Sequence, residues 1–180
     1  MAQNFRGVIL ADASFTKLFP IYKLSYNPKQ FLHSEQLEEH AFVGNCYIEA
    51  YETALANRYY GYPFVWSGDF GKSFFGQDTY VGAKEHTHHL PKQDYHAHAD
   101  RSKWIYLVNF DRKEYIRIPE VTDTPQYHPL PLLCANGLVE GDYNGTNEDK
   151  IGRWAYNRIG VDIEVPEGFT ELDFTFDKKE

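Results

Sequence analysis

Cysteine is nearly missing from this chain: there are two in 180 residues, Cys46 and Cys134. Each sits in an apolar context far from the other, and the pair reads as two packed, reduced thiols. Methionine occurs once, at the start. No apolar stretch approaches the roughly 20 residues that a membrane helix needs. The opening, Met1-Ala2-Gln3-Asn4-Phe5-Arg6, lacks a cationic start followed by an apolar run, which predicts a cytoplasmic protein. Positive charge is also scarce, with 18 Lys and Arg against 26 Asp and Glu and a net charge of −8. The densest basic clusters are only Arg112-Lys113 and Lys178-Lys179. A surface of that sign repels phosphate backbones and anionic lipid, which disfavours direct nucleic-acid binding and a membrane site. It suits a basic protein partner, including a nucleic-acid-binding one. Catalytic signatures are missing too: no P-loop, Rossmann glycine pattern, Gly-x-Ser-x-Gly, Cys-x-x-Cys or HExxH occurs. An ATPase, a dehydrogenase, an α/β-hydrolase and a zinc finger are thereby disfavoured.

Aromatic residues are abundant, at 17% with 14 tyrosines and 13 phenylalanines. They favour pleated strands and carry large buried area, and tyrosine also suits binding surfaces. The apolar run Gly7–Leu10, the alternation over 21–26, and Pro63–Trp66 read as strands. Trp104–Phe110 and Glu114–Ile118, joined by Asp111-Arg112-Lys113, read as a hairpin. Leu130–Cys134 reads as a strand that Pro131 confines to an edge or a bulge. Alternation continues at Ile159, Val161, Ile163 and Val165, then at Leu172, Phe174 and Phe176. Ser34 with nearby glutamates starts a helical pattern. Gly44-Asn45 breaks it by a kink or a fresh start, and Phe42, Cys46, Ala50 and Ala54 share a face. The expectation is one α+β domain over residues 1–180. It has a mostly antiparallel sheet, a longer helix at about 35–57, a short one at about 147–156 and an irregular loop at about 71–103.

That loop holds the densest chemistry. Five of the eight histidines fall between His86 and His98. A His-x-His pair on extended chain turns both imidazoles to one face, so His86, His88, His96 and His98 form a candidate zinc or nickel site. The competing reading is a solvated loop that attracts metal weakly, with no cofactor. Two Gly-Asp-aromatic steps, Gly68-Asp69-Phe70 and Gly141-Asp142-Tyr143, place a carboxylate beside exposed backbone, where a ligand would find an acceptor and N–H groups. As commonplace turn dipeptides they have a structural reading as well. Asn109, at a strand end, and His128, before a proline, read first as hydrogen-bonded structural residues and second as catalysts. Trp66, Trp104 and Trp154 read as core or core rim, with an aromatic cage as the alternative.

Several blocks carry a resemblance that covers about two-thirds of the chain. They are Glu39-His40 leading to Gly44-Asn45, Val65-Trp66-Ser67-Gly68-Asp69-Phe70, and Tyr106-Leu107-Val108-Asn109-Phe110-Asp111-Arg112-Lys113-Glu114-Tyr115. They continue with His128-Pro129-Leu130-Pro131-Leu132-Leu133, Gly141-Asp142-Tyr143-Asn144-Gly145 and Gly152-Arg153-Trp154-Ala155. In these the chain resembles a family of small bacterial and phage proteins with no activity attached to it. The resemblance implies a shared fold and an aromatic, Gly-Asp-bearing site region. Members carry Asn-His where this chain has Asn109-Phe110, and a longer glycine run in place of Leu138-Val139-Glu140. The histidine cluster lies outside the matched blocks.

Three functional expectations follow. The first is a non-catalytic binding protein, of the kind a phage uses to inhibit a host enzyme or defence protein. Its surface would comprise the Gly68–Phe70 turn, the Gly137–Gly145 loop and the loop from Gly71 to Lys103. The second is an enzyme or sponge for a small phosphorylated, nucleotide-like ligand. There Asp69, Asp142 and His128 would be the polar groups, Arg153 the phosphate partner, and Trp66 or Trp154 the stacking face, with Asn109 and Tyr143 nearby. The third is the histidine metal site. Oligomeric state is left open by the sequence.

Overall fold

Among the described residues, strands assemble into an eight-stranded, mostly antiparallel sheet that packs with helices, an α+β fold. The computed structural model describes residues 5–10, 21–22, 41–71, 79–80, 106–137, 143 and 146–177. The strands are β1 (Phe5–Leu10), β2 (Ile21–Tyr22), β3 (Tyr62–Gly68), β4 (Tyr106–Asn109), β5 (Glu114–Arg117), β6 (Ala135–Asn136), β7 (Arg158–Asp162) and β8 (Thr170–Glu171). Their spatial order is β2-β1-β3-β7-β4-β5-β8, with β6 attached to β3. Among the described residues, only β3–β6 and β5–β8 are parallel pairs. No helix among the described residues is long and apolar enough to cross a membrane.

The longer helix, α1, spans Cys46–Ala56. It starts after a turn in which Gly44 adopts φ +86°, and residues 35–40 of the expected helix lie outside the described residues. Asn45 then supplies the carbonyl that accepts from Glu49 N at 3.0 Å. Ile48, Tyr51, Glu52 and Leu55, at helical spacing, are all buried, and Ala50 and Ala54 with them. Tyr51 meets Phe64 and Trp66 edge-on at ring separations of 5.5 and 5.2 Å. Its hydroxyl donates to Gly7 O at 2.7 Å. The ring therefore lies across β1 at the one position where no Cβ stands in the way.

The second helix, α2, spans Pro129–Leu133, where the sequence pattern predicts an edge strand. Both prolines sit among the first helical residues, whose N–H groups have no partner inside a helix, so neither costs a bond. His128 caps it: its backbone is extended, at φ −86° and ψ 130°, and its Nδ1 accepts from Leu130 N at 3.1 Å. The expected helix at 147–156 reduces to a single 3-10 turn, Glu148–Lys150, followed by irregular turns. Those turns are tied to their neighbours as well as to themselves. Gly152 N donates to Leu132 O, Trp154 N to Leu133 O and Tyr156 N to Phe64 O, at 2.7–2.9 Å.

β7 ends at Asp162, which leaves Ile163 exposed although it continues the alternation. The C-terminal segment also departs from expectation. Leu172, Phe174 and Phe176 do turn to the core, but β8 stops at Glu171. What holds the rest is the buried side chain of Asn147. Its Nδ2 donates to Thr175 O at 2.7 Å and its Oδ1 accepts from Thr175 N at 3.0 Å. One amide thus replaces a neighbouring strand, because it presents the same donor and acceptor pair as a peptide unit.

Candidate functional site

The expected site residues fall into three settings. Trp66 is fully buried in the core, and its backbone N donates to Cys134 O at 2.7 Å. Asp69 lies partly buried in the turn after β3. Tyr143 is buried edge-on against Tyr127 at 5.1 Å, and its hydroxyl accepts from Asn147 Nδ2 at 3.3 Å. Asp142, Trp104 and the four histidines His86, His88, His96 and His98 lie outside the described residues. Among the described residues, no group of three His, Cys, Asp or Glu side chains is placed to hold a metal ion. Cys134 is a buried free thiol whose pKa burial pushes well up, so it stays protonated and serves as packing.

Arg153 and Trp154 come together on Glu114, at the end of the β4–β5 hairpin where Asn109 stands. Asn109 faces Glu114 across the ladder. Its Oδ1 accepts from Asp111 N and Arg112 N, both at 3.0 Å, which folds the hairpin turn. Its Nδ2 reaches Asn157 Oδ1 at 3.0 Å. Arg153 grips Glu114 with two nitrogens, Nε at 3.1 Å and a close Nη2 contact. The Trp154 indole N–H donates to the same carboxylate at 2.7 Å. Arg158 pairs likewise with Asp111 at 2.7 Å. These groups staple the hairpin to the 148–157 turns, and the guanidinium of Arg153 is already engaged by a carboxylate.

Glu114 is accordingly held below its ordinary pKa of 4.5, first by the Arg153 hydrogen bond and then by the Trp154 indole, against the opposing effect of burial. A carboxylate with a depressed folded pKa stabilises the protein above its unfolded value, and that contribution fades as pH falls through the folded one. A Glu114→Gln protein is therefore expected to be less stable than wild type at pH 7. The gap in urea midpoint should narrow as pH drops below about 4.5. A gap that stays constant with pH would remove the carboxylate from this role.

His128 is fully buried, and its Nε2 lies 2.7 Å from Glu52 Oε1 on α1, itself only 3% exposed. Because Nδ1 accepts from a backbone N–H, the ring proton sits on Nε2 and points at the carboxylate. A histidine oriented by a glutamate resembles a catalytic pair, yet its other nitrogen caps a helix and has no nucleophile or open space before it. Both nitrogens are engaged within the fold. The sequence signal that would have found the pair is Glu52 itself, a charged residue on the apolar face shared by Ile48, Tyr51 and Leu55.

The described surface does contain a groove, of about 710 Å³, that none of these residues line. β5 and β8 pair only at Glu114–Thr170 and Tyr115–Glu171, and the last bond between them is Leu172 N to Tyr115 O at 2.8 Å. Beyond it the two chains diverge. One wall runs from Ile116 to Glu120 and the other from Glu171 to Phe176. Asn147 and a Tyr127 N to Phe176 O bond of 2.7 Å hold the second wall away from the first. Ile116, Ile118 and Phe174 form a buried apolar floor, while Glu120, Glu171, Asp173 and Arg117 stand exposed on the rim. Strand alternation turns the main chain of Arg117 the same way as that of Tyr115, into the groove, and no described residue hydrogen-bonds across it there.

No protein-family model matches the chain, and no curated protein or solved structure matches it either. The class that fold and surface define is an α+β protein whose buried His128, Asn109 and Asn147 are engaged within the fold, with an apolar groove at a sheet edge among the described residues.

Proposed function

We propose that the protein is a non-catalytic binding module whose groove beside β5 receives an extended, basic segment of a partner protein. The carrying observation is the groove itself: an apolar floor, a rim of three carboxylates against one arginine, and an adjoining stretch of sheet edge. A guest strand would add main-chain hydrogen bonds at Arg117, insert alternate apolar side chains over Ile118 and Phe174, and turn lysines or arginines to the rim. The net charge of −8 acts in the same direction over longer range, by speeding encounter with a cationic partner. An inhibitor of the phage type would use such a groove to occupy a cationic segment of a host enzyme or defence protein.

The test is fluorescence anisotropy with labelled hexapeptides that alternate lysine with valine or phenylalanine, and with glutamate versions as controls. The lysine peptides are expected to bind, and to bind less at high salt. Reversing two rim charges together, Glu120→Lys with Asp173→Lys, should weaken them about tenfold or more, the equivalent of about 1.4 kcal/mol. Equal binding of the glutamate peptides, or indifference to the double reversal, would sink the proposal.

A further inference from the structure

The opposite face of the sheet carries an arginine of a different kind. Side chains on β1 alternate, so Gly7 faces α1 and Arg6 faces away from it, beside Val8 and Leu10 on the second face. Arg6 is 8% exposed, yet its Nε and Nη1 make no hydrogen bond, and no carboxylate among the described residues pairs with it. Arg153 and Arg158, both far more exposed, each hold one. Among the described residues the guanidinium of Arg6 stacks on an aromatic ring: its central carbon lies 3.7 Å from the centroid of the Tyr80 ring. Stacking occupies a face of the planar group and leaves its edges free. A guanidinium grips an oxyanion through two edges, and here each retains an unspent donor.

A buried guanidinium cannot shed its charge as a carboxylate or imidazole can, so it needs a counter-charge. Among the described residues, neutral polar groups share this face or the ladder position. Ser67 stands opposite Arg6 in the ladder and is buried. Tyr156 packs on the same face, against the cluster of Val8, Leu10 and Val65. Its hydroxyl meets Thr79 Oγ1 at 2.8 Å and accepts from Asn136 Nδ2 at 2.5 Å. Hydroxyls and an amide on the face that carries an arginine paired with no described carboxylate suit a compact, multi-oxygen anion, since each can donate to it and none repels it.

We propose that Arg6 anchors a binding site for a phosphate-class oxyanion on the face of the sheet opposite α1, with Tyr80 as the platform that orients the guanidinium. The site is separate from the groove beside β5 and does not depend on it. It takes either free phosphate or the phosphoryl group of a small molecule, because the chemistry described here reads the anion alone.

The experiment follows the Arg6 Nε–H resonance of ¹⁵N-labelled protein, assigned by its loss in Arg6→Lys, during titration with inorganic phosphate in low-salt buffer. The resonance is expected to move saturably with phosphate and to ignore matched chloride. The thermal midpoint should rise by about 5–10 °C at a hundredfold excess over the dissociation constant. In Arg6→Met that rise should vanish, while the variant without phosphate is at least as stable as wild type, because an unpaired buried charge has been removed. A nucleoside monophosphate that binds more tightly than inorganic phosphate identifies a phosphorylated small molecule as the source, and equal binding identifies the free ion. A resonance unmoved by millimolar phosphate overturns the proposal, even if Arg6→Met does not fold. So does a stronger response to acetate, or an Arg6→Met protein that is destabilised whether or not phosphate is present.

Discussion

A His128→Ala protein is expected to unfold at a much lower urea concentration than wild type, with a loss of about 3–5 kcal/mol. Two effects add. The substitution leaves the Glu52 carboxyl, 3% exposed, facing a cavity where the imidazole N–H had been 2.7 Å away. A buried acid that loses this donor has less to offset its desolvation cost. The substitution also removes the Nδ1 cap from Leu130 N, and a lost cap costs about 1 kcal/mol. Domains of this size hold about 5–15 kcal/mol in total, so the variant sits near the edge of folding. Glu52→Gln is the informative partner, because its amide oxygen can still accept from Nε2 and the expected cost falls to about 1 kcal/mol. A double substitution of both residues to leucine should be less damaging than His128→Ala alone, since no carboxyl is then stranded and only the Leu130 N–H loses its cap. Single-residue costs that simply add in the double variant would show that the two side chains do not act as a pair.

Gly7→Ala carries the second large effect, against the usual direction of a glycine-to-alanine change. In a strand that change ordinarily stabilises by restricting the unfolded chain, by about 0.4–1 kcal/mol. Here a Cβ would stand 2.5 Å from Tyr51 Cζ and 2.8 Å from Trp66 Cζ3. Both rings are fully buried, and the Tyr51 hydroxyl is fixed by its 2.7 Å bond to Gly7 O. The Tyr51 ring cannot withdraw without breaking that bond or shifting α1, and Trp66 is packed against it. Overpacking of this kind typically costs about 1–3 kcal/mol, and losing the hydrogen bond adds about 1 more. The thermal midpoint is therefore expected to fall by about 6–12 °C. An alanine variant as stable as wild type would mean that α1 can rise off the sheet freely.

Much of the architecture is legible in the residues. Alternation and the Asp111-Arg112-Lys113 turn mark the β4–β5 hairpin, because a strand has a period of two and a hairpin needs polar turn residues. Gly44-Asn45 marks the start of α1, because only glycine accepts the φ of +86° found there at little cost. The site was harder to read. His128, Asn109 and Arg153 have residue types that serve catalysis and structure equally. Which use prevails depends on Glu52, Asn157 and Glu114, which lie 76, 48 and 39 residues away.

Local pattern is sufficient for an α+β chain with a mostly antiparallel sheet, since periodicity and turn chemistry act over a few residues at a time. Long-range contacts settled the rest. Proline at a helix start turned 129–133 into α2 where an edge strand was expected, and the Asn147 amide held Thr175 where a strand would have paired. The groove exists because two chain segments stop pairing after Leu172. Arg6 is exceptional only because the fold buries it against Tyr80 and places no carboxylate among the described residues beside it. Burial and pairing are properties of neighbours in space, and a charged side chain in a sequence does not announce which neighbours it will have.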